Sequence, residues 1–179
     1  ALGNLAIDFA SSGLSTMAIS GHKVGAPIGV GALIVGREIK PTSLLHGGSQ
    51  ERALRSGTLS YPFISSFAAA VSAAEADRPQ RLERLAELRD QLETQVLEAL
   101  PAAVSTVSGV PRTSHHAHMM FPGAQSDNLL FLLDQAGISA SAGSACTAGV
   151  LAPSHVLLGM GIPEELADCA IRATLGHTL

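Results

Sequence analysis

Residues 14–19 have the apolar sequence Leu-Ser-Thr-Met-Ala-Ile and lead directly into Ser-Gly-His-Lys at residues 20–23. A Gly- and Pro-rich turn follows at residues 25–31, and a second apolar, partly β-branched run covers residues 30–35. Short apolar runs bounded by glycines are typical of buried strands. The pattern therefore predicts two strands joined by a turn, with Lys23 at the end of the first strand.

Lys23 is a candidate catalytic residue because of this position. A lysine beside glycines at the end of a buried strand is poorly placed for a solvated charge, and partial burial disfavours the ammonium form. A neutral amine is the form that reacts with an aldehyde cofactor. Ser20 and His22 are placed to hydrogen-bond a cofactor phosphate or to tune the cofactor's electronic structure. A lysine that simply follows a strand is the alternative interpretation of these four residues.

A polar, Gly-rich segment predicts a long loop over residues 46–60. It contains His-Gly-Gly-Ser-Gln-Glu-Arg at residues 46–52 and Arg-Ser-Gly-Thr at residues 55–58. Glycine backbone can approach an anion closely, and Arg, Ser and Thr side chains can hold its oxygens. The segment therefore favours an anion-binding loop, with a mobile surface loop as the alternative.

The rest of the chain predicts alternating helices and strands. Helices are predicted at residues 62–76, 79–100, 127–135, 153–160 and 163–167, and strands at residues 104–107, 116–121 and 169–175. Ser126 is predicted to be the N-cap of the helix at 127–135, and Gly137 to stop that helix.

The helix predicted at residues 79–100 is amphipathic. Its apolar stripe recurs at spacings of three and four and consists of Leu82, Leu85, Leu88, Leu92 and Val96. The charged residues between them predict a solvated face made of Glu83, Arg84, Glu87, Arg89 and Asp90. Because the composition shifts near residue 76, we predict two α/β parts, residues 1–76 and 77–179.

Cys146 lies in a tract of small residues, Ser-Ala-Gly-Ser-Ala-Cys-Thr-Ala-Gly, at residues 141–149. Inert cysteines usually lie among bulky apolar neighbours, whereas small residues pack weakly and allow a thiol to move. We therefore predict that Cys146 is a mobile, reactive thiol. Cys169 lies in the apolar segment 166–171 and is predicted to be an ordinary core residue.

Arg172 lies in the last predicted strand and needs an anionic partner, because an unpaired buried charge is costly. A substrate carboxylate or a structural Asp or Glu would serve. His115, His116 and His118 suggest a metal cluster at first sight, but no Cys or carboxylate lies close in sequence to complete one. We interpret them as strand histidines near an active-site cleft and predict no metal.

The composition argues against several classes of protein. The chain has 179 residues, a net charge of −4 and no basic run, so no nucleic-acid partner is expected. No apolar stretch is long enough to span a bilayer, so no membrane association is expected. Two cysteines, and the lack of a signal-peptide pattern in residues 1–8, suit a reducing cytoplasm.

Four segments carry a family resemblance. They are Ser-Gly-His-Lys with the turn after it, Gly-Gly-Ser-Gln-Glu-Arg through Thr58, Gly-Ser-Ala-Cys at residues 143–146, and Ile-Arg through Gly at residues 171–176. Together, and in this order and spacing, they resemble the cysteine desulfurases of the NifS/IscS type, fold type I pyridoxal-phosphate enzymes of aminotransferase class V. The resemblance covers essentially the whole chain.

The resemblance implies a fold and a cofactor site. Residues 1–76 would form the C-terminal part of a large α/β domain that binds pyridoxal 5'-phosphate, and residues 77–179 a small α/β domain that carries the cysteine loop. Lys23 would be bound covalently to the cofactor and would later move the substrate's α-proton, with His22 also catalytic. Ser20 and His22 would bind the cofactor phosphate, and Thr58 would reach the phosphate of the partner subunit in a homodimer.

The resemblance also implies a reaction and its partners. Arg172 would bind the carboxylate of L-cysteine. Cys146 would attack the substrate sulfur and carry it as a persulfide, while L-alanine is released. The sulfur would pass to an iron–sulfur scaffold or another acceptor protein, where Cys146 could contact a nascent iron–sulfur cluster.

The chain also departs from the family pattern. The family's earlier segments, which supply a stacking His, an Asp at the pyridine nitrogen, an Asn and a Gln, do not occur, nor does its C-terminal tail. We therefore expect a fragment truncated at both ends and incomplete in activity. Residues 26–29 are Ala-Pro-Ile-Gly where the family often has Gly-Pro-Lys-Gly. The alternatives are selenocysteine lyase, another aminotransferase-fold enzyme, or an inactive remnant that binds a partner protein. A mobile thiol argues against transamination.

Overall fold

A computed structural model describes residues 1–143 and 153–176 of the chain. The chain divides into two compact units, Ala1–Arg78 and Pro79–Leu179. Both contain helices and strands, which agrees with the predicted α/β class. The assignment of residues 1–76 and 77–179 to a large and a small domain stays a prediction.

The first unit is built on a β-hairpin. Strand β1, Thr16–Ser20, pairs antiparallel with β2, Gly31–Val35, so that Ser20 lies opposite Gly31 and Thr16 opposite Val35. A short 3-10 turn, Gly21–Val24, leaves the end of β1. A tight turn with left-handed backbone, Gln50–Ala53, lies in the predicted loop, and helix α1, Tyr61–Ala76, follows it. Both predicted strands and the first helix are therefore confirmed.

The hairpin depends on two glycines at its strand ends. A Cβ atom on Gly31 would lie 2.5 Å from the carbonyl oxygen of Ile19, and one on Gly21 would lie 2.7 Å from that of Val30. Both distances are shorter than any tolerated contact, so only glycine allows the two backbones to come this close. The close approach fixes the position at which the 3-10 turn leaves β1.

The expected burial of the first strand is wrong. Residues Thr16–Ser20 alternate between exposed and half-buried, and β2 is exposed over its first three residues. Helix α1 contains no buried residue either. A two-stranded hairpin needs additional layers to bury its faces, and apolar periodicity alone does not reveal whether such layers are present.

Among its described residues, the second unit has a three-stranded antiparallel sheet and four helices. In chain order these elements are α2 at Arg78–Ala99, β3 at Val104–Ser105, β4 at His116–Met120, α3 at Ser126–Gln135, α4 at His155–Gly159, α5 at Glu164–Ala167 and β5 at Ala170–Thr174. The strand order is β3-β4-β5, so β4 is central. All of these elements were predicted, with ends that differ by a few residues, and no helix in the described part of the chain is long and apolar enough to cross a membrane.

The core of this unit lies at one end of the sheet. Met120 and Ala170 lie opposite each other on β4 and β5, and both are buried. Leu157 of α4 and Ala167 of α5 pack against them. Burying one leucine side chain stabilises the fold by roughly 1.5–3 kcal/mol, so this small cluster fixes the two short helices against the sheet.

Ser126 has a different role from the predicted one. The N-cap of α3 is Gln125, and Ser126 is the first residue of the helix. Its buried hydroxyl lies 2.6 Å from the carbonyl oxygen of Asp168 and 3.0 Å from that of Ala170. The side chain therefore ties α3 to the start of β5. Gly137 has a left-handed φ of 74° just after the helix, which confirms the predicted stop.

The predicted solvated face of α2 is wrong at Arg89. This residue is 9% exposed, and its guanidinium contacts Asp90 and donates to the carbonyl oxygen of Thr113 at 3.0 Å. One turn further, buried Glu93 accepts two hydrogen bonds from Arg112, at 2.7 and 2.6 Å. Hydrogen bonding to Glu93 also raises the pKa of Arg112. Residues 112–113 lie over the helix and cover charges that its own periodicity assigns to solvent.

Candidate functional site

Three of the predicted site residues lie together at the end of β1. Ser20 ends the strand, and His22 and Lys23 lie on the 3-10 turn that follows. The hydroxyl Oγ of Ser20 and Nδ1 of His22 are 3.0 Å apart. All three residues are exposed, so the expected partial burial of Lys23 is wrong. The physical reason is the open hairpin, whose faces bury no strand residue.

The backbone holds this turn in place. The amide of Gly21 donates to the carbonyl oxygen of Val30 at 2.9 Å, and the amide of Ala26 donates to that of Gly21 at 3.1 Å. Gly25 ends the turn with a left-handed φ of 89°, which glycine adopts without steric cost. A hydroxyl, an imidazole and an amine are thus presented to solvent from a fixed backbone. This donor set suits a ligand that combines an anionic group with an electrophilic carbon.

The predicted anion-binding loop is held by its own hydrogen bonds. The hydroxyl of Ser56 donates to the carbonyl oxygen of Gly48 at 2.7 Å, and the amide of Gly57 donates to Oε1 of Gln50 at 3.3 Å. Residues 51–53, none of them glycine, have left-handed φ angles of 49°, 58° and 61°. Such a backbone costs roughly 1–2 kcal/mol per residue. Thr58 follows Gly57 at the end of this hydrogen-bonded segment, and its side chain is exposed.

Arg172 provides the candidate site in the second unit. It is half-buried on β5, and its backbone exchanges two hydrogen bonds with Ser141, of 2.7 and 3.0 Å. One guanidinium nitrogen donates to the carbonyl oxygen of Gly143 at 3.2 Å. Its Nε is buried and has no hydrogen-bond partner among residues 1–143 and 153–176. In the same part of the chain no Asp or Glu forms an ion pair with it, which leaves the carboxylate of a ligand as the partner proposed from the sequence.

Two of the three histidines lie on the same sheet face as Arg172. His118 lies directly opposite Arg172, and its Nδ1 is 2.7 Å from Oγ1 of Thr106. Next to this pair, Nδ1 of His116 is 3.0 Å from Oγ1 of Thr174. Burial and then the charge of Arg172 lower the pKa of both histidines. Both are therefore neutral at physiological pH.

His115 differs from its two neighbours. Burial, followed by the charge of His116, lowers its pKa to about 4, and the charge of Arg172 has no part in this shift. Its Nδ1 is buried without a partner in the described part of the chain. Among the described residues, no three His, Cys, Asp or Glu side chains are grouped so as to hold a metal ion.

The contact between Thr106 and His118 is not predictable from either segment of sequence. Thr106 lies at the end of a predicted strand and His118 within another, so both lay inside predicted elements. Their contact depends on strand register, which no feature of either segment specifies. The alternation of His116 and His118 with apolar residues shows that both histidines lie on one strand face, but no such pattern marks Thr106.

Of the two cysteines, Cys169 lies in the described part of the chain. Cys169 is buried and its Sγ lies 3.0 Å from the carbonyl oxygen of Glu165, so the prediction of an ordinary core thiol is confirmed. Cys146 lies outside the described residues, and its role stays a prediction. The roles predicted for Lys23, His22, Ser20, Thr58 and Arg172 are likewise untested.

Comparisons with known proteins identify similar sequences. A family model described as Aminotransferase class-V matches residues 1–178. An IscS-like cysteine desulfurase of Mycobacterium tuberculosis is 44% identical over 179 residues, which are 99% of this chain and 46% of that protein. Cysteine desulfurase NifS of Azotobacter vinelandii is 37% identical over 99% of this chain and 44% of its own length. The chain thus spans slightly less than half the length of these curated relatives.

Solved structures match equally far along the chain. A NifS-like protein of Rickettsia africae superposes with a TM-score of 0.86 at 29% identity, covering 99% of this chain and 46% of that one. A protein described as SspA in complex with cysteine superposes with a TM-score of 0.73 at 29% identity, covering 97% of this chain and 47% of that one.

Proposed function

The chain belongs to the class-V aminotransferase family, and on this premise we propose that it is part of a pyridoxal-phosphate-dependent cysteine desulfurase. The reaction would take sulfur from L-cysteine and release L-alanine. The observation that carries the proposal is the end-to-end match with relatives named for this one activity, at 44% identity in the M. tuberculosis protein.

The turn after β1 fits the cofactor. Ser20 and His22 supply a hydroxyl and an imidazole for phosphate oxygens, and they lie within hydrogen-bond distance of each other at 3.0 Å. Lys23, one residue further, supplies the amine that holds the cofactor covalently and then carries the substrate's α-proton. Pyridoxal phosphate, when bound, supplies an electron sink for the bonds at the α-carbon. His22, in contact with Ser20, is also a catalytic residue in this proposal.

Arg172 binds the substrate carboxylate in this proposal. Its Nε lacks a hydrogen-bond partner among the described residues, and a buried donor without a partner is costly. A carboxylate can accept two parallel hydrogen bonds from a guanidinium. Binding of L-cysteine would therefore satisfy the donor and orient the substrate through its carboxylate.

Cys146 accepts the sulfur. Its thiolate attacks the substrate sulfur, a sulfur–sulfur bond forms, and the carbon–sulfur bond of L-cysteine breaks. The electron pair of that bond stays with the carbon side, which is protonated and leaves as L-alanine. Cys146 keeps the sulfur as a persulfide, which passes to an iron–sulfur scaffold or another acceptor protein, where Cys146 can meet a nascent iron–sulfur cluster.

The finer parts of the proposal concern assembly and location. Thr58 reaches the cofactor phosphate of the partner subunit in a homodimer, and it is suited to this by its exposed position at the end of the loop. The enzyme works in the cytoplasm, where reduced thiols persist.

A chimera tests the function. The matching part of the M. tuberculosis desulfurase, 46% of that protein, is replaced by this chain, and alanine and sulfide are measured with pyridoxal phosphate, L-cysteine and a dithiol reductant that releases the persulfide sulfur as sulfide. We expect both products in equal amounts, together with the absorbance of lysine-bound cofactor. Lys23→Ala should remove the absorbance and both products, and Cys146→Ser should remove the products only.

Other outcomes would reject the proposal. Turnover of selenocysteine without turnover of cysteine would assign the chain to a lyase for that substrate. A folded chimera that binds the cofactor and converts neither amino acid would exclude desulfurase activity. Unchanged turnover in Cys146→Ser would exclude the persulfide role.

A further inference from the structure

We propose that His118 is the positioning residue of Arg172, and that it holds the guanidinium in the orientation that leaves Nε free for a carboxylate. The proposal rests on the proposed function only for the identity of that carboxylate as L-cysteine.

The strand register brings the two side chains together. His118 and Arg172 are directly opposite each other in the β4–β5 pairing. The backbone N–H and C=O of Arg172 are both bonded to Ser141, on the far edge of β5, so they point away from β4. His118 and Arg172 are therefore a non-hydrogen-bonded antiparallel pair, in which the side chains lie closest, with Cα atoms about 4.5 Å apart.

Thr106 fixes the other side of the imidazole. Its Oγ1 lies 2.7 Å from Nδ1 of His118, and its amide donates to the carbonyl oxygen of His118 at 3.0 Å. His118 is thus anchored to the β3 side of the sheet while it faces Arg172 on the β5 side. An imidazole held at both its backbone and its ring cannot turn away when the guanidinium moves.

The electrostatics fit a neutral support. Burial is the main cause that lowers the pKa of His118, and two charged or titratable groups, Arg172 on β5 and then His116 on β4, lower it further. A neutral imidazole does not repel the guanidinium. A carboxylate at this position would instead occupy the N–H groups that a ligand needs.

The remaining contacts of Arg172 leave its buried Nε without a hydrogen-bond partner in the described part of the chain. One guanidinium nitrogen is bonded to the carbonyl oxygen of Gly143 at 3.2 Å. With that end held and His118 beside the side chain, Nε stays buried without a partner in the described part of the chain. This arrangement is what a carboxylate receptor requires before its ligand arrives.

The experiment measures binding of acetate, a plain carboxylate, to the chain itself. The Nε–H signal of Arg172 and the ring signals of the histidines are followed by NMR during an acetate titration. We expect His118→Ala to weaken acetate binding about tenfold, which is within the range of coupling between neighbouring residues. His118→Asn, whose amide can keep the bond to Thr106, should restore most of it.

A matched pair of variants separates positioning from sheet stability. Thr106→Val removes the hydroxyl from His118, whereas Thr174→Val removes the same kind of bond from His116, which is not opposite Arg172. We expect Thr106→Val to weaken binding severalfold and Thr174→Val to leave it unchanged. In the wild-type chain, acetate should also raise the pKa of His118 and leave that of His115 unchanged.

Three outcomes would overturn the proposal: no acetate binding at Arg172, equal affinity in wild type and His118→Ala, or equal loss in Thr106→Val and Thr174→Val. None of these measurements involves turnover. The two proposals can therefore fail separately. If the desulfurase assay fails but the His118 and Thr106 variants still weaken acetate binding as expected, the proposed function is rejected and the positioning role of His118 is kept.

Discussion

The two candidate sites are built by opposite means. The turn after β1 presents Ser20, His22 and Lys23 in the open, and the backbone holds them, because glycines at the strand ends let the hairpin close. The sheet of the second unit instead half-buries Arg172 beside neutral histidines, and side-chain contacts hold it. The first arrangement suits groups that must react with a ligand, and the second suits a charge that must only recognise one.

The largest expected effect is the loss of stability when the ion pair between Glu93 and Arg112 in the second unit is broken. Glu93→Ala removes the buried carboxylate of Arg112 and leaves it only the longer contact with Asp90 at 3.8 Å, so the loss is expected at about 3 kcal/mol, the low end for a broken buried pair. Urea unfolding measures the loss. Glu83→Ala on the same helix is the control, since Glu83 is exposed and should change stability by less than about 0.5 kcal/mol. Equal losses would show that the Glu93 pair is not a buried support.

A second prediction concerns the close approach of the two strand backbones at Gly31 in the first unit. Gly31→Val places side-chain atoms against the carbonyl oxygen of Ile19, at a Cβ distance of 2.5 Å, and overpacking of this kind costs about 1–3 kcal/mol. Reaction of Lys23 with added pyridoxal phosphate, followed by absorbance, should weaken in parallel. Gly159→Val, where a Cβ meets no atom within 4 Å and the backbone has no left-handed φ, is the control. If Gly31→Val kept full stability, the close approach of the strands would be refuted.

A third prediction concerns the stability of the second unit at low pH, which depends on the imidazole of His115. The pKa of His115 is lowered to about 4 from 6.5, so below pH 6.5 the unfolded chain binds a proton that the folded chain does not. The contribution of His115 to the free energy of unfolding is therefore complete above pH 6.5 and is lost as the pH falls towards 4. Because His115 is only half-buried, solvent screening limits the effect to roughly 1 kcal/mol.

Unfolding at pH 7 and pH 4.5 checks this expectation. His115→Asn should reduce the difference in stability between the two pH values. His155→Asn, at an exposed position of α4, should leave that difference as it is. An identical pH dependence in wild type and His115→Asn would contradict the burial of this imidazole.

The smallest effect concerns the charge of Arg172. Arg172→Gln removes a positive charge that lowers the pKa of His116 and His118, so both values should rise, while that of His115 should stay. NMR titration of the histidine ring signals measures all three in one sample. A uniform change in the three would show a general loosening of the sheet.

Sequence reasoning located the elements well because they are periodic. The strands at 16–20 and 31–35 and the helix at 78–99 lie within a few residues of their predicted bounds, since apolar spacing reports local geometry. It failed where the partner is distant. Arg89 donates to the carbonyl oxygen of Thr113, which lies 24 residues further along the chain, and no pattern in the helix sequence predicts this contact.

The same limit applies to the sites. The pattern Ser-Gly-His-Lys identified a turn whose members are sequence neighbours, so their proximity needed no knowledge of the fold. The support of Arg172 by His118 and Thr106 depends on three strands and one register, which only the folded chain defines. The burial of Lys23 was misjudged because burial depends on what covers a strand as well as on the strand itself.

The hydroxyl of Ser126 has a consequence for how the second unit folds. It joins the first residue of α3 to backbone oxygens 42 and 44 residues further along the chain. Closing a loop of that length costs about 3 kcal/mol of chain entropy before any contact in it is made. The start of α3 and the start of β5 are therefore expected to meet late in folding and in a single step. In kinetic experiments, Ser126→Ala should mainly accelerate unfolding and leave the folding rate nearly unchanged.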